Sequence, residues 1–165
     1  MTAPHRTQGR WELCKGVAVA RTDKAEEFRL SSKPAILFAC IHNSGRSVAA
    51  KVLAEHYGGA DVTVLSAGSE PGDGINPTVA AVLAERGLST AAETPTLLEA
   101  ETVQSADVVI TMGCGETCPV LPGRRYEDWA VEDPKGKDIE TVRRIVDDVD
   151  ERVRGLLGEL ALSRR

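Results

Sequence analysis

Short apolar runs alternate with helical patterns along the chain from residue 34 onward. Residues 35–39 are continuously apolar, which predicts a strand covered on both faces. Two further, largely apolar stretches predict strands at residues 62–65 and 108–111, and a short fourth strand is expected within residues 126–130. Four stretches have a helical period and lie at residues 47–57, 77–86, 96–103 and 138–160. This alternation predicts an α/β fold, a three-layer sandwich with a parallel sheet between helices.

The first 33 residues differ from the remainder because they show no sustained period. We expect residues 1–33 to form an N-terminal extension that is partly disordered, with a short helix around residues 23–30. The catalytic domain is predicted to span residues 34–163. Cys14 lies in the extension with no motif around it.

Composition narrows the class of protein. The chain has 165 residues, a net charge of −5 and a pI near 5.3, which argues against a general nucleic-acid or membrane-surface binder. No apolar run approaches a membrane span, and the polar N-terminus lacks a signal-peptide core. We therefore expect a cytoplasmic protein whose cysteines are reduced, and any anion site must be local.

The stretch Cys40-Ile-His-Asn-Ser-Gly-Arg46-Ser47 joins the first predicted strand to the first predicted helix. Such a loop forms an anion cradle, because its backbone amides and the helix N-terminus supply positive potential. The same potential stabilises a thiolate on Cys40, the predicted nucleophile, and Arg46 can clamp two oxygens. Ser47 can hydrogen-bond the thiolate, and Asn43 can fix the loop. The predicted oxyanion-binding residues are Ile41, His42, Asn43, Ser44, Gly45, Arg46 and Ser47.

A second cysteine-bearing loop follows the third predicted strand and contains Cys114 and Cys118. At this spacing on a helix the two Cα atoms would be about 6 Å apart, within disulfide range after a modest adjustment. We favour a redox role for this pair of cysteines. The alternatives are that they form half of a zinc site or that their spacing is due to chance. Both cysteine loops leave the carboxyl ends of parallel strands, which predicts that they lie on one side of the molecule.

Five stretches together resemble the arsenate reductases of the low-molecular-weight protein tyrosine phosphatase fold. They are residues 40–47, 66–68, 75–77, 106–119 and 125–134. The resemblance covers about residues 34–160 and implies a four-stranded parallel sheet, with arsenate as substrate and phosphate or sulfate as mimics. It also makes Asp133 the proton donor, although Glu132-Asp133-Pro134 taken alone is typical of a surface turn.

The resemblance further implies a relay of three thiols. Cys40 attacks arsenate, Cys114 attacks the sulfur of Cys40, and Cys118 then attacks Cys114, leaving a Cys114–Cys118 disulfide that thioredoxin reduces. Three residues separate Cys114 from Cys118, fewer than separate the two corresponding cysteines in the best-described thioredoxin-coupled branch of these reductases. That branch binds potassium through an acidic residue where this chain has Lys51, so we expect no bound metal or cofactor.

Three alternatives stay open at this stage. A low-molecular-weight phosphatase would use the same loop, because phosphate and arsenate share charge and shape, but would not need Cys114 and Cys118. An arsenate reductase could instead draw on mycothiol or glutathione with a redoxin. A non-catalytic oxyanion sensor would bind the anion without consuming reducing equivalents. We expect a monomer or a homodimer.

Overall fold

Four parallel strands form a single sheet in the order β2-β1-β3-β4. The computed structural model describes residues 33–114 and 117–163, so Cys14 and the helix predicted at residues 23–30 lie outside the described residues. The strands are β1 (Ala35–Cys40), β2 (Thr63–Gly68), β3 (Val108–Met112) and β4 (Arg125–Asp128). The predicted four-stranded parallel sheet is confirmed.

Helices cover both faces of this sheet. They are α1 (Arg46–Gly58), α2 (Pro77–Glu85), α3 (Ala100–Ser105) and α4 (Ile139–Ser163), with a short 3-10 turn at Gly59–Asp61. The main core packs α1, α2 and α4 against one face, whereas Val103 of α3 packs against the other face. The predicted three-layer arrangement is therefore confirmed.

The central strand β1 divides its side chains between the two layers of helices. Ile36, Phe38 and Cys40 belong to the core beneath α1 and α4. Leu37 and Ala39 point to the opposite layer, because successive side chains of a strand alternate between faces. The nucleophile predicted from the sequence therefore lies at the carboxyl end of one of the two inner strands, on the α1 side.

The helix predicted at residues 96–103 is partly wrong. Residues 96–99 are extended, Leu97 forms a bridge with Gly68 at the end of β2, and α3 begins only at Ala100. The backbone hydrogen bonds explain this, since the amide of Gly68 donates to the carbonyl of Thr96 and that of Leu98 donates to the carbonyl of Gly68, each over 2.8 Å. Pairing with the strand outweighs local helix propensity here.

The other element boundaries shift by a few residues. β2 continues through Gly68 instead of ending at Leu65, since its last residues pair with the end of β1. Ile139, at the start of the amphipathic α4, remains 38% exposed, whereas six later apolar positions of the helix are buried: Val142, Ile145, Val146, Val149, Val153 and Leu156. Within the described chain, no helix combines the length and apolar character needed to cross a bilayer.

Candidate active site

The loop between β1 and α1 is held by hydrogen bonds from the segment that follows β2. Four loop carbonyls accept amide hydrogens from that segment: those of Cys40, Ile41, His42 and Ser44, from Ser69, Glu70, Gly72 and Asn76 over 2.8–3.2 Å. In a trans peptide the amide points away from the carbonyl of the same unit. The carbonyls therefore face outward and the amides of the same peptide units point to the inner side of the loop, where that of Asn43 donates to the Cys40 sulfur.

The Cys40 sulfur lies at the start of α1 and is 2% exposed. It is 2.9 Å from the Ser47 hydroxyl oxygen and accepts the backbone amide hydrogen of Asn43 at 3.2 Å. The Asn43 side-chain amide donates to the same hydroxyl over 2.8 Å, which leaves the Ser47 proton for the sulfur. None of the described side chains caps α1, so its first amides add positive potential. This arrangement places hydrogen-bond donors and the start of a helix around the Cys40 sulfur.

Asn43, which we expect to fix the shape of the loop, has an unusual backbone conformation and a buried side chain. It is fully buried and has a φ of 49°, a left-handed conformation that asparagine tolerates better than most residues. Its side-chain oxygen accepts the backbone amide hydrogen of Thr96 over 2.8 Å. Thr96 was missed by sequence reasoning because a contact between residues 53 positions apart has no local signal.

Arg46 and Asp133 face each other at the loop. Nη2 of the buried Arg46 is 3.5 Å from the Asp133 carboxylate, and Nη1 donates to the Val131 carbonyl over 3.4 Å. Gly45 permits this approach, because a Cβ atom there would lie 2.7 Å from the ring of Pro134. Asp133 is 47% exposed and accepts the Lys135 amide hydrogen, so it stands at the mouth of the site.

These residues open into one cavity of about 540 Å³. Cys40, Arg46 and Asp133 line it together with His42, whose ring Nδ1 is 3.1 Å from the Glu70 carbonyl. None of the described lining residues is Phe, Tyr or Trp. The structure thus brings together the predicted nucleophile, arginine and acid at a polar site.

Cys114 and Cys118 form a disulfide, with their Cα atoms 6.1 Å apart. The pair is almost completely buried against Ala39 and Leu98, and Cys40 remains a free thiol. Among residues 33–114 and 117–163, no cluster of three or more metal-ligating side chains occurs. The disulfide supports the redox interpretation of this loop over the zinc half-site.

The disulfide and the Cys40 sulfur lie on different sides of β1. Cys114 packs with Ala39, whereas the neighbouring Cys40 packs with the core beneath α1. Both loops nevertheless leave the same edge of the sheet, since Cys40 pairs with Met112 of β3. The prediction that the two loops would lie on one side of the molecule is therefore confirmed. Because the two sulfurs lie on different faces of β1, Cys114 must move past the end of this strand to reach Cys40.

Lys51 joins α1 to the segment that leads to Thr96. Its ammonium is 2.6 Å from Glu93 and 3.0 Å from Glu55, and the Lys51 and Glu93 side chains are 19% and 10% exposed. Burial alone lowers the pKa of Lys51, but hydrogen bonds and attraction from Glu93 and Glu55 together outweigh it and raise that pKa above its usual value. The ion pair is therefore fully formed at neutral pH and is lost only as the pH rises through the raised pKa.

Replacing Lys51 with methionine is expected to destabilise the protein by roughly 1–3 kcal/mol, because it leaves the Glu93 carboxylate buried without a partner. Urea unfolding measures the change. Glu55→Gln is the matched control and should cost less than about 1 kcal/mol, since Glu55 is 48% exposed. Equal stability of Lys51→Met and the wild type would contradict this role of the ion pair.

Comparisons with known proteins agree with this geometry. The family model for low molecular weight phosphotyrosine protein phosphatases matches residues 35–165. A thioredoxin-dependent arsenate reductase of Corynebacterium glutamicum is 40% identical, with a TM-score of 0.72 over 92% of this chain and 75% of its own. An arsenate reductase of Archaeoglobus fulgidus is 37% identical, with a TM-score of 0.65 over 74% of this chain and 98% of its own. A glutaredoxin arsenate reductase of Synechocystis is 33% identical over 76% of this chain and 98% of its own.

Proposed function

The chain belongs to the low molecular weight phosphotyrosine protein phosphatase family, and within that family we propose that it reduces arsenate to arsenite with electrons from thioredoxin. The Cys114–Cys118 disulfide beside the oxyanion loop carries this proposal. Phosphate-ester hydrolysis regenerates its cysteine with water and needs no second thiol. The names of the Corynebacterium and Archaeoglobus relatives support the same reaction.

The first step joins sulfur to arsenic. The Cys40 thiolate attacks arsenate in the loop, where the amides and Arg46 hold the oxyanion. An arsenic–oxygen bond breaks, and Asp133 supplies the proton with which the oxygen leaves as water. Asp133 lies 3.5 Å from Arg46 and lines the cavity, which is consistent with this role. Arsenic is still pentavalent at this point.

The second step transfers two electrons to arsenic. The Cys114 thiolate attacks the Cys40 sulfur, the sulfur–arsenic bond breaks, and its electron pair stays on arsenic, which leaves as arsenite. Cys118 then attacks Cys114 and releases the Cys40 thiolate. Thioredoxin reduces the resulting disulfide by thiol exchange. The described structure, with Cys40 free and the other two cysteines joined, matches the stage just before thioredoxin acts.

The cavity favours a small inorganic substrate over a phosphotyrosine. Its described lining includes no Phe, Tyr or Trp that could stack on a phenyl ring, and the whole chain is only 4% aromatic. Phosphate esters should therefore turn over slowly, although the loop binds phosphate and arsenate alike.

The deciding experiment compares two substrates on the same protein. NADPH consumption is followed with arsenate, thioredoxin and thioredoxin reductase, and p-nitrophenyl phosphate hydrolysis is followed in parallel. We expect arsenate-dependent turnover to dominate. Faster phosphate turnover would favour the phosphatase, and oxyanion binding without any reductant consumption would favour the sensor.

A second reductant system has support from one relative, the Synechocystis protein named glutaredoxin arsenate reductase. In that alternative a small thiol with a redoxin replaces thioredoxin. Substituting glutathione and glutaredoxin, or mycothiol and its redoxin, for thioredoxin in the same assay separates the two. Higher turnover with the small thiol would assign the electron donor to that system and leave the arsenate reaction intact.

A further inference from the structure

Gly113 lies directly against the guanidinium group of Arg46. It follows β3, precedes the disulfide-bonded Cys114, and has a φ of 82°. A Cβ atom at this position would lie 2.7 Å from Nη1 and 3.5 Å from Cζ of Arg46. Heavy atoms do not approach so closely without a shift, so a side chain at residue 113 must displace something.

The guanidinium is the group that would move. It is the flexible end of a long side chain, whereas Gly113 is backbone at the end of a central strand. The contacts that hold the guanidinium elsewhere are long, at 3.4 Å to the Val131 carbonyl and 3.5 Å to the Asp133 carboxylate, so they resist displacement weakly. A side chain at residue 113 would therefore disturb the anion site more than the fold.

We infer that Gly113 is a positioning residue for oxyanion binding, which places the guanidinium of Arg46 by leaving room for it. The inference rests on the proposed function only in that Arg46 binds the substrate oxyanion. The loop that carries the redox cysteines thus also supplies a wall of the anion site. Phosphate binding tests this without any turnover, so failure of the reductase proposal and failure of this inference are distinguishable.

Gly113→Ala tests the contact, with Gly123→Ala as its matched control. Gly123 has nearly the same φ, 79°, but a Cβ atom there meets nothing within 4 Å. Both variants carry the same backbone strain and should lower the melting temperature similarly. Only Gly113→Ala should weaken phosphate binding, by about tenfold, as expected for loss of one charge-assisted hydrogen bond. Its KM for arsenate should rise in proportion. Equal phosphate affinities of the two variants would overturn the inference.

Two further variants keep the test decisive. If Gly113→Ala does not fold, Gly113→Asn and Gly123→Asn replace the pair, because asparagine tolerates positive φ and still carries the Cβ atom. In an Arg46→Lys background, adding Gly113→Ala should leave phosphate affinity unchanged, since the guanidinium is already gone. Fully additive losses would show that Gly113 acts by some other route.

Discussion

Replacing Cys40 with serine is expected to abolish arsenate reduction, with a loss of roughly 10⁴-fold or more. A serine hydroxyl is not ionised at neutral pH, so the loop amides and Ser47 no longer hold an anionic nucleophile against the substrate. Phosphate binding should persist, because the amides and Arg46 remain. The coupled NADPH assay and a phosphate titration measure the two effects separately.

Cys14→Ser is the matched control for loss of a thiol. It should retain full turnover, because no sequence motif surrounds Cys14. Turnover in Cys40→Ser above one tenth of the wild-type rate would assign the nucleophile to another group. Loss of phosphate binding together with activity would instead indicate that the loop had collapsed. We expect the loop to keep its shape, because a serine hydroxyl can replace the sulfur in the 2.9 Å contact with Ser47.

Replacing Cys118 with serine is expected to stop the enzyme after a single turnover. Cys40 and Cys114 can still complete the reduction of one arsenate, but nothing then attacks Cys114 to free Cys40. One arsenite should form per protein molecule, and the protein should accumulate as a Cys40–Cys114 disulfide. Rapid-quench measurement of arsenite and mass spectrometry of the digested protein detect these products.

Cys114→Ser distinguishes the order of the relay. Without Cys114 the sulfur–arsenic bond on Cys40 has no internal attacker, so neither arsenite nor an intramolecular disulfide of Cys40 should form. If both serine variants kept multiple turnover with a small thiol, the internal relay would be excluded and the small-thiol alternative would stand. A Cys40–Cys118 disulfide in Cys114→Ser would show that Cys118 can attack Cys40 directly.

The two inner strands were predictable because they are buried on both faces. A strand covered on both sides carries apolar residues on both faces, so residues 35–39 and 108–110 stand out from their polar surroundings. The oxyanion loop was predictable for a similar reason, since its residue types and its place between strand and helix occur together within eight positions. Both features can be predicted because neighbouring residues in the sequence determine them.

The remaining contacts of the site depend on tertiary packing. The amide of Thr96 reaches Asn43 because residues 96–99 pair with the end of β2, and no pattern near either residue indicates that bond. Val131 contributes only a carbonyl to Arg46, which any residue could supply. On the Ala39 side the disulfide packs with Leu98, which belongs to the same extended segment.

Successive side chains of β1 point to opposite faces of the sheet, which separates two parts of the site. Ala39 and Cys40 are neighbours in the chain, yet one packs against the disulfide and the other opens into the cavity. Under the proposed function, the oxyanion therefore binds on one face of β1 while the disulfide lies on the other. Because Cys114 and Cys118 are only 5% and 8% exposed, we expect this loop to open before an external thiol can reach them.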